Sequence, residues 1–356
     1  MKRAERLKKA IVDAGICIRD AMKRLNESST QILLVSGEHG ELLGTITDGD
    51  IRRALLADLN LGISAEKIMN RDPVCLYEDE RDQAMKLMKE RVINQIPILS
   101  RHGKITELVL RRDFDDCEPS VKYQERENIV FILAGGKGTR LDPFTKVIPK
   151  PLIPMGEKTI IEIVMERFHK YGFNDFVISV NYKAEMIKMY FAENSRPYNI
   201  DYVQEREFLG TAGSLSLIKG RSGAPVLVSN CDVLVDVDFH DLLGFHLERK
   251  ASFTVVGAMK HVKIPYGILR SSNGRLKEIE EKPEFDFMVS AGVYVVDPEM
   301  IDMLNPSEYM DMPNLIQKGI DAGRKVAVYP IGSGKWMDIG QWDEYKKALE
   351  HFKEVL

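Results

Sequence analysis

The sequence predicts an α/β protein with a mixed, mostly parallel sheet, preceded by a smaller α+β region. From residue 129 onward, apolar runs typical of buried parallel strands alternate with stretches of helical spacing. Before that point, between about residues 15 and 115, the chain contains two similar halves. These two observations indicate two regions of different architecture in one chain.

Size and composition are those of a globular protein of about two domains. The chain has 356 residues, of which 44% are hydrophobic and 29% charged. A net charge of −4 argues against a dedicated nucleic-acid binder. No apolar run approaches the roughly 18 residues of a membrane span, so we expect no membrane association. The four cysteines form no C-x-x-C pair, which favours a reducing cytoplasm over disulfides or zinc.

Each half of the N-terminal region is expected to contain two strands joined by a turn. In the first half the strands cover residues 31–35 and 42–46. In the second half a helix over 83–88 precedes strands over 95–99 and 104–110. Asp50 and Asp113 occupy the same place in the two halves. A polar segment that contains Pro119 then reads as an interdomain connection. The predicted domains are therefore 1–118 and 128–356, with a linker over 119–127.

The C-terminal region alternates between strands and helices. Apolar strands are expected over 129–133, 176–180, 200–203 and 225–228, with helices over 160–171 and 185–191 and a helix that contains 215–218. In such sheets, ligands bind beyond the carboxyl ends of the strands. Arg140, Gln204 and Asp232 all follow strand ends, so we expect them to converge on one edge.

A glycine-rich stretch, Gly135-Gly136-Lys137-Gly138, follows the first of these strands. Glycine permits close approach of the backbone to a ligand, and successive free N–H groups form an anion nest. Arg140 and Lys150 add positive charge nearby. The spacing is neither that of a P-loop nor that of a dinucleotide fingerprint, whose third glycine is replaced here by Leu141. The stretch therefore predicts a site for nucleotide phosphates, and the alternative is a tight turn after a core strand.

Two further segments carry candidate site residues. Asp232 follows an apolar strand, where a carboxylate is costly to bury unless it is paired or binds a metal. Leu209-Gly210-Thr211-Ala212-Gly213-Ser214 combines glycines with a helix N-terminus, which favours an acceptor group. The alternatives are an ion-pair or capping role for Asp232, and a helix cap by Thr211 or Ser214.

The segment Gly135–Leu141, followed by Pro149-Lys150-Pro151, resembles the signature of the sugar-1-phosphate nucleotidyltransferases, which have a Rossmann-like fold. Further family motifs match at Leu209–Gly213, at Glu281-Lys282-Pro283 and at Trp336–Gly340, whereas Ser290 stands where the family has Asn. The resemblance implies Arg140 and Lys150 as catalytic residues and Asp232 and Asp338 as ligands of Mg²⁺. It implies nucleotide binding by Leu133, Ala134, Gly135, Gly136, Gly138, Thr139, Gln204, Gly210, Thr211 and Ala212. It implies sugar-phosphate binding by Gly267, Glu281, Lys282, Ser290 and Gly292.

The N-terminal repeat resembles a tandem pair of CBS domains, which often bind adenosyl nucleotides. Thr47 and Asp50 match the family's ribose contacts. In the second half Leu110 stands where Thr47 stands and cannot donate to a ribose hydroxyl, so only the first site is expected to bind. Such pairs also serve as dimerisation modules, with apolar helix faces such as Met85 and Met88 packed against a second copy.

Together the resemblances imply transfer of a nucleotidyl group to a sugar 1-phosphate, with release of pyrophosphate. The Pro149-Lys150-Pro151-Leu152 form resembles the guanylyl- and adenylyl-transferring members of the family. A CBS pair ahead of the transferase resembles the guanylyltransferases of nonulosonic acid pathways, so the resemblance implies GTP and glucosamine 1-phosphate, for surface-glycan or nonulosonic acid biosynthesis. Mannose 1-phosphate, a heptose 1-phosphate or another base remain alternatives. A different class is also open, namely a non-catalytic module that senses nucleotides.

Overall fold

The computed structural model describes residues 3–28, 30–91, 93–114, 123–193 and 196–355. Packing divides the chain into two compact units. The first unit comprises residues 1–122, 259–287 and 330–334, and the second comprises 123–258, 288–329 and 335–356. The domain boundaries drawn from the sequence stay a prediction, and residues 119–122 of the predicted linker lie outside the described residues. Two segments distant in sequence thus pack with the N-terminal region.

The N-terminal part of the first unit contains two small sheets with one topology. Its helices are α1 (Arg3–Ala10), α2 (Ile18–Ser28), α3 (Asp48–Leu56) and α4 (Ala84–Arg91). Its strands are β1 (Ile11–Asp13), β2 (Ile32–Ser36), β3 (Leu42–Thr47), β4 (Leu76–Tyr77), β5 (Gln95–Leu99) and β6 (Ile105–Leu110). The orders are β1-β2-β3 and β4-β5-β6, with a parallel first pair and an antiparallel second pair in each. The two similar halves predicted from the sequence therefore share one strand arrangement.

Each half has its own apolar core, and the two halves meet at their hairpin turns. Leu42 N–H donates to the Gly103 carbonyl at 3.0 Å, and Ile105 N–H donates to the Gly40 carbonyl at 3.0 Å. Met88 is fully buried in the core of the second half. The sequence predicts that Met88 presents an apolar helix face to a second copy, and this prediction is wrong because the side chain is part of the core of its own half.

Beyond residue 122 the chain alternates as predicted. The helices are α5 (Ile160–His169), α6 (Ala184–Ala192), α7 (Gly210–Gly213), α8 (Phe239–Glu248), α9 (Pro298–Asp302), α10 (Met312–Asp321) and α11 (Trp342–Val355). The strands are β7 (Val130–Leu133), β8 (Pro154–Met155), β9 (Lys158–Thr159), β10 (Asp175–Val180), β11 (Asn199–Gln204), β12 (Val226–Asn230), β13 (Val233–Val235), β14 (Phe253–Lys263), β15 (Ile268–Ser272), β16 (Arg275–Glu280), β17 (Glu284–Val296), β18 (Val326–Ile331) and β19 (Trp336–Asp338). Residues 214–218 form a 3₁₀ helix.

Helix α5 shows how local sequence sets these boundaries. Thr159 precedes the helix, and the Glu162 carboxylate accepts from its N–H at 2.8 Å and from its hydroxyl at 2.9 Å. This is a capping arrangement that satisfies groups left free at a helix start. The helix then buries Ile160, Val164 and Phe168 at helical spacing. It ends before Gly172, whose φ of 85° needs glycine.

A seven-stranded sheet with the order β11-β10-β7-β12-β17-β14-β18 forms the centre of the second unit. Strands β11, β10, β7 and β12 are parallel, and β17 is antiparallel to β12. The predicted mixed, mostly parallel sheet is therefore confirmed. Within the residues that the structure describes, no helix combines the length and apolar composition that a membrane crossing requires.

The parallel register brings the residues after three strand ends to one edge of this sheet. Ala134 N–H donates to the Ser179 carbonyl at 3.0 Å, and Cys231 N–H donates to the Leu133 carbonyl at 3.3 Å. Glu205 N–H likewise donates to the Val180 carbonyl at 3.0 Å. The glycine-rich loop, the segment after β11 and the segment after β12 thus all lie at the carboxyl edge of the sheet.

Candidate active site

Lys150 and Asp232 form a buried ion pair at this edge. The Lys150 ammonium donates to Oδ2 of Asp232, and the two side chains are only 10% and 11% exposed. The glycine-rich loop lies against this lysine. A Cβ at Gly138, whose φ is 67°, would lie 2.9 Å from the Cβ of Lys150. Glycine at this position therefore allows both the left-handed backbone and the close approach of the loop to Lys150.

Gly340 brings the second predicted carboxylate to the same place. Strands β13 and β19 pair Val233 with Asp338, and Ile339 N–H donates to the Asp232 carbonyl at 2.9 Å. A carbon at the Cβ position of Gly340 would lie 2.7 Å from Oδ2 of Asp232 and 2.7 Å from Oδ1 of Asp338. It would lie 3.0 Å from Nζ of Lys150. Two carboxylates and one ammonium therefore face one small space, which the missing side chain of Gly340 leaves open.

This donor set suits a divalent cation that shares its ligands with phosphates. Among the described residues, no group of three or more His, Cys, Asp or Glu side chains forms a metal cage. Magnesium does not need such a cage, because it binds through one or two carboxylates together with substrate phosphate oxygens and water. Asp232 and Asp338, which share the space beside Gly340, fit that pattern.

Cys231 adjoins these groups but is not a nucleophile. Burial and the negative charge of Asp232 raise the pKa of the Cys231 thiol to about 12. Because the thiolate is the reactive form of cysteine, this side chain stays inert at neutral pH.

The glycine-rich loop leaves its cations open to solvent. Gly136, Lys137, Thr139 and Arg140 are exposed, whereas Ala134 and Gly135 are buried. A Cβ at Gly135 would lie 2.5 Å from Oε1 of Glu205. The loop therefore turns directly over the buried carboxylate of Glu205, which is not among the predicted site residues.

Glu205 connects three segments of the carboxyl edge. Its Oε1 accepts from the Ser179 hydroxyl at 2.6 Å, and its Oε2 accepts from Leu209 N–H at 3.0 Å. Its backbone carbonyl accepts from the side-chain amide of Asn181 at 2.9 Å. The side chain therefore fixes the start of the Leu209–Gly213 segment relative to the glycine loop. The position of Glu205 directly after the end of β11 is the feature of the sequence that could have indicated it as a site residue.

Replacing Glu205 with Ala is expected to lower the free energy of unfolding by about 1–3 kcal/mol, because it leaves two donors without their acceptor. We also expect a higher KM for the nucleotide that the sequence predicts at the glycine loop, since Leu209 and this loop lose their common anchor. Urea unfolding and steady-state kinetics measure the two effects. Glu207→Gln, an exposed neighbour, is the matched control. Unchanged stability and KM in Glu205→Ala would contradict this role.

The Leu209–Gly213 segment packs on the start of α10. Ala212 N–H and Gly213 N–H donate to the Met310 carbonyl at 2.9 and 3.0 Å, and a Cβ at Gly210 would lie 2.5 Å from that oxygen. The Thr211 hydroxyl donates to Asp311 at 3.3 Å and accepts from the N–H of Met312 at 2.7 Å. The Thr211 hydroxyl thus satisfies the first N–H of α10, and neither Thr211 nor Ser214 caps the helix of its own segment. Gln204 accepts from the Lys188 ammonium at 3.0 Å.

The predicted sugar-phosphate residues lie in both units. In the second unit, the Ser290 hydroxyl lies 3.0 Å from the Tyr294 hydroxyl, and a Cβ at Gly292 would lie 2.7 Å from the side-chain nitrogen of Asn230. Asn230 immediately precedes the Cys231-Asp232 segment and is a further candidate beyond the predicted site residues.

In the first unit, a Cβ at Gly267 would lie 2.9 Å from Oε2 of Glu281. Lys282 has a φ of 46° and a 60% exposed side chain. Left-handed backbone at a residue other than glycine is uncommon and concentrates at ligand sites. The ammonium of Lys282 lies 3.7 Å from Oε1 of the exposed Glu281 and stays open to solvent, from which an anion can approach it.

The two CBS-like halves differ at the predicted nucleotide position. Asp50 accepts from the N–H and the hydroxyl of Thr47 at 2.8 and 2.7 Å and also pairs with Arg53, which together cap α3. Asp113 instead receives two hydrogen bonds from the Arg6 guanidinium, at 2.7 and 2.5 Å. The Asp113 carboxylate of the second half is therefore already bound by Arg6, in keeping with the expectation that only the first half binds a nucleotide.

Replacing Arg6 with Met is expected to lower the free energy of unfolding by about 3 kcal/mol, because it leaves the Asp113 carboxylate unpaired. Burial raises the pKa of Asp113. The Arg6 hydrogen bonds, the Leu110 N–H and the charge of Arg6 together lower this pKa by more, so its net shift is downward. The contribution is therefore complete above the ordinary aspartate pKa of about 3.9 and is lost as pH falls through the folded-state value. Thermal unfolding across this range measures it.

Arg71→Met, which breaks the exposed pair with Glu66, is the control for the Arg6 variant. A loss of stability in Arg6→Met that is equal to the control, or that persists unchanged below about pH 3, would contradict a stabilising Arg6–Asp113 pair.

Comparison with known proteins assigns the region that contains this site to a family. The family model described as "Nucleotidyl transferase" matches residues 129–354, well over half of the chain, and covers every second-unit residue discussed above. The chain belongs to the nucleotidyl transferase family. The CBS domain model matches residues 18–57 and 65–116, so this nucleotidyl transferase carries N-terminal CBS domains. Transferases of this family typically use a divalent metal, in keeping with the carboxylates beside Gly340.

Curated relatives are similar over the same region. A mannose-1-phosphate guanylyltransferase catalytic subunit beta of Dictyostelium discoideum is 33% identical over 230 residues, which are 61% of this chain and 62% of that protein. A UTP–glucose-1-phosphate uridylyltransferase of Synechocystis sp. is 30% identical over 240 residues, 61% of each chain. The chain thus spans about three fifths of the length of these relatives.

A solved structure shows the same fold. HddC from Yersinia pseudotuberculosis, in complex with GMP-PN, has a TM-score of 0.50 and 24% identity, and the match covers 63% of this chain and 99% of that one.

Proposed function

We propose that this nucleotidyl transferase transfers a nucleotidyl group, GMP from GTP, to a sugar 1-phosphate, for which glucosamine 1-phosphate is our first candidate. The observation that carries the proposal is the convergence of Asp232, Asp338 and Lys150 on the space beside Gly340, next to the glycine-rich loop. A relative named as a guanylyltransferase and a similar structure holding GMP-PN support guanine. A surface-glycan or nonulosonic acid pathway would use the product.

In the proposed reaction, an oxygen of the sugar 1-phosphate attacks the α-phosphorus of the triphosphate. A new P–O bond forms, the bond from the α-phosphorus to the bridging oxygen breaks, and pyrophosphate leaves with the electron pair. The attacking oxygen is already anionic, so no side chain has to remove a proton. Catalysis then consists of positioning the groups and neutralising their charge.

Each of the charged residues would neutralise a different phosphate group, according to its position. Lys150 uses one of its three donors on Asp232 and can give the others to the α-phosphate and the sugar phosphate. Arg140 is exposed on the loop and would neutralise the leaving pyrophosphate. Lys282 would hold the sugar phosphate. Mg²⁺, held by Asp232 and Asp338, would supply further neutralisation of phosphate charge.

The remaining roles follow the same proposal. The backbone of Leu133, Ala134, Gly135, Gly136, Gly138 and Thr139 would cradle the phosphates, and Gln204 with Gly210, Thr211 and Ala212 would face the base. Gly267, Glu281, Ser290 and Gly292 would contact the sugar. A nucleotide at Thr47 and Asp50, dimerisation through the CBS pair and a cytoplasmic location remain part of the proposal.

The test is pyrophosphate release with Mg²⁺, across four nucleoside triphosphates and a panel of sugar 1-phosphates. We expect the highest rate with GTP and glucosamine 1-phosphate. Preference for mannose 1-phosphate would support the alternative that the Dictyostelium relative suggests. Preference for another base would keep the reaction and discard our assignment of the base. No release with any pair, from folded protein that still binds nucleotide, would favour a sensing module.

A further inference from the structure

The hairpin of β15 and β16 is a two-stranded sheet within the first unit. Among the residues that the structure describes, β16 pairs only with β15, so its other edge offers unpaired N–H and C=O groups. Isolated two-stranded hairpins are marginally stable in water, and exposed edges readily pair with another strand.

One face of this hairpin is apolar and exposed. The register pairs Leu269 with Ile279 and Ser271 with Leu276, which places the three large apolar side chains on one face. Leu269 is 65% exposed, Leu276 54% and Ile279 59%. Scattered apolar residues on a surface are ordinary, but three on one face of a sheet with an open edge mark a contact surface.

The sequence of β16, Arg275-Leu276-Lys277-Glu278-Ile279-Glu280, is complementary to itself in antiparallel pairing. In the register that opposes 275 to 280, every arginine or lysine meets a glutamate and Leu276 meets Ile279. The bulge, which leaves Lys277 without a partner on β15, would lie at the two-fold axis in both copies, so the pairing on either side is not shifted. Within the described part of the chain, Arg275 and Lys277 form no ion pair of their own. Glu278 and Glu280 lie 3.6 and 3.7 Å from the Arg270 guanidinium of the same hairpin, at exposed positions where they can also meet a second cation.

We propose that β16 is a self-association surface that pairs with β16 of a second copy across a two-fold axis. The pairing would join two hairpins into a four-stranded sheet and bring the apolar faces of both copies side by side. Such an interface is isologous, because the same residues contribute from both copies. Opposite charges directly across antiparallel strands favour this register, and a shift by one residue would oppose Lys277 to Lys277 or Glu278 to Glu278.

The test measures the mass of the full-length chain by sedimentation over a series of concentrations. Arg275→Glu opposes glutamate to Glu280 at two symmetric positions. We therefore expect the dissociation constant of the two-fold assembly to rise by about tenfold or more. If another interface also joins copies, the mass falls from four chains to two instead of from two to one. Arg221→Glu, which makes the same charge change at an exposed pair with Asp201, should leave the mass unchanged.

Charge exchange separates specific pairing from damage to the hairpin. Glu280→Arg alone should also dissociate, whereas Arg275→Glu and Glu280→Arg mixed together should associate as a heterodimer. The double variant Arg275→Glu/Glu280→Arg should associate with itself. The proposal is overturned if the wild type has the mass of the Arg275→Glu variant at every concentration. It is equally overturned if neither mixing nor the double variant restores association.

Discussion

Replacing Asp232 with Asn is expected to lower the turnover of pyrophosphate release by a factor on the order of 10²–10³. The carboxylate both pairs with Lys150 and faces the space shared with Asp338, so one substitution removes the orientation of the lysine and one metal ligand. Initial rates at saturating nucleotide and sugar phosphate, with Mg²⁺ varied, measure the loss. Asp201→Asn, at an exposed pair with Arg221, is the matched control.

The same substitution is also expected to destabilise the fold by about 3–5 kcal/mol, because it leaves the Lys150 ammonium buried without its partner. Replacing both members, as in Lys150→Met/Asp232→Leu, removes both charges and should recover most of that stability without recovering activity. Near-normal turnover in Asp232→Asn would overturn the assignment. A double variant that regains activity would show that the pair serves folding alone.

The sequence predicted the parts of this site that depend on strand ends. Arg140, Gln204 and Asp232 were expected at one edge because parallel strands present their carboxyl ends together, and the register of β7, β10, β11 and β12 bears out that shared edge. The roles of these residues stay predictions. Local patterns carry such information because strand periodicity and glycine turns are set within a few residues.

Glu205 and Gly340 could not be assigned in the same way. Glu205 looked like a polar residue after a strand, and only the approach of Gly135 and Leu209 shows that it is buried as a common acceptor. Gly340 belonged to a recognised motif, but its importance comes from Asp232 and Lys150, which are distant in sequence. Such contacts depend on tertiary packing, which no short window of sequence contains.

The composition of the first unit is a second example. The predicted boundary followed the polar segment after Asp113, yet residues 259–287 pack with the N-terminal region. Arg19 on α2 donates to Asp286 on β17 at 2.8 and 2.6 Å, across 267 positions of sequence. His261 lies 2.8 Å from the same carboxylate. A charged pair at this separation leaves no periodic signal, since each member alone reads as a solvated surface residue.

Replacing Gly340 with Ala is expected to lower the turnover by a factor on the order of 10² while leaving the free energy of unfolding within about 1 kcal/mol of the wild type. The φ of Gly340 lies outside the left-handed region, so alanine can adopt the backbone. The new methyl group would meet the ends of the Asp232, Asp338 and Lys150 side chains, and these flexible ends can shift without separating Lys150 from Asp232, so the cost to folding is small. That movement would separate the two carboxylates, and positioning errors of about 1 Å are costly in catalysis.

The measurement compares turnover and the Mg²⁺ concentration for half-maximal rate, which should rise in Gly340→Ala because the methyl group occupies the space that the two carboxylates share. Gly223→Ala introduces the same methyl group where no atom lies within 4 Å and should change neither value. An unaltered rate and Mg²⁺ dependence in Gly340→Ala would mean that the space beside Gly340 does not receive the metal or the reacting phosphates. In that case the convergence of Asp232, Asp338 and Lys150 would be an ion-pair cluster that stabilises β13 and β19.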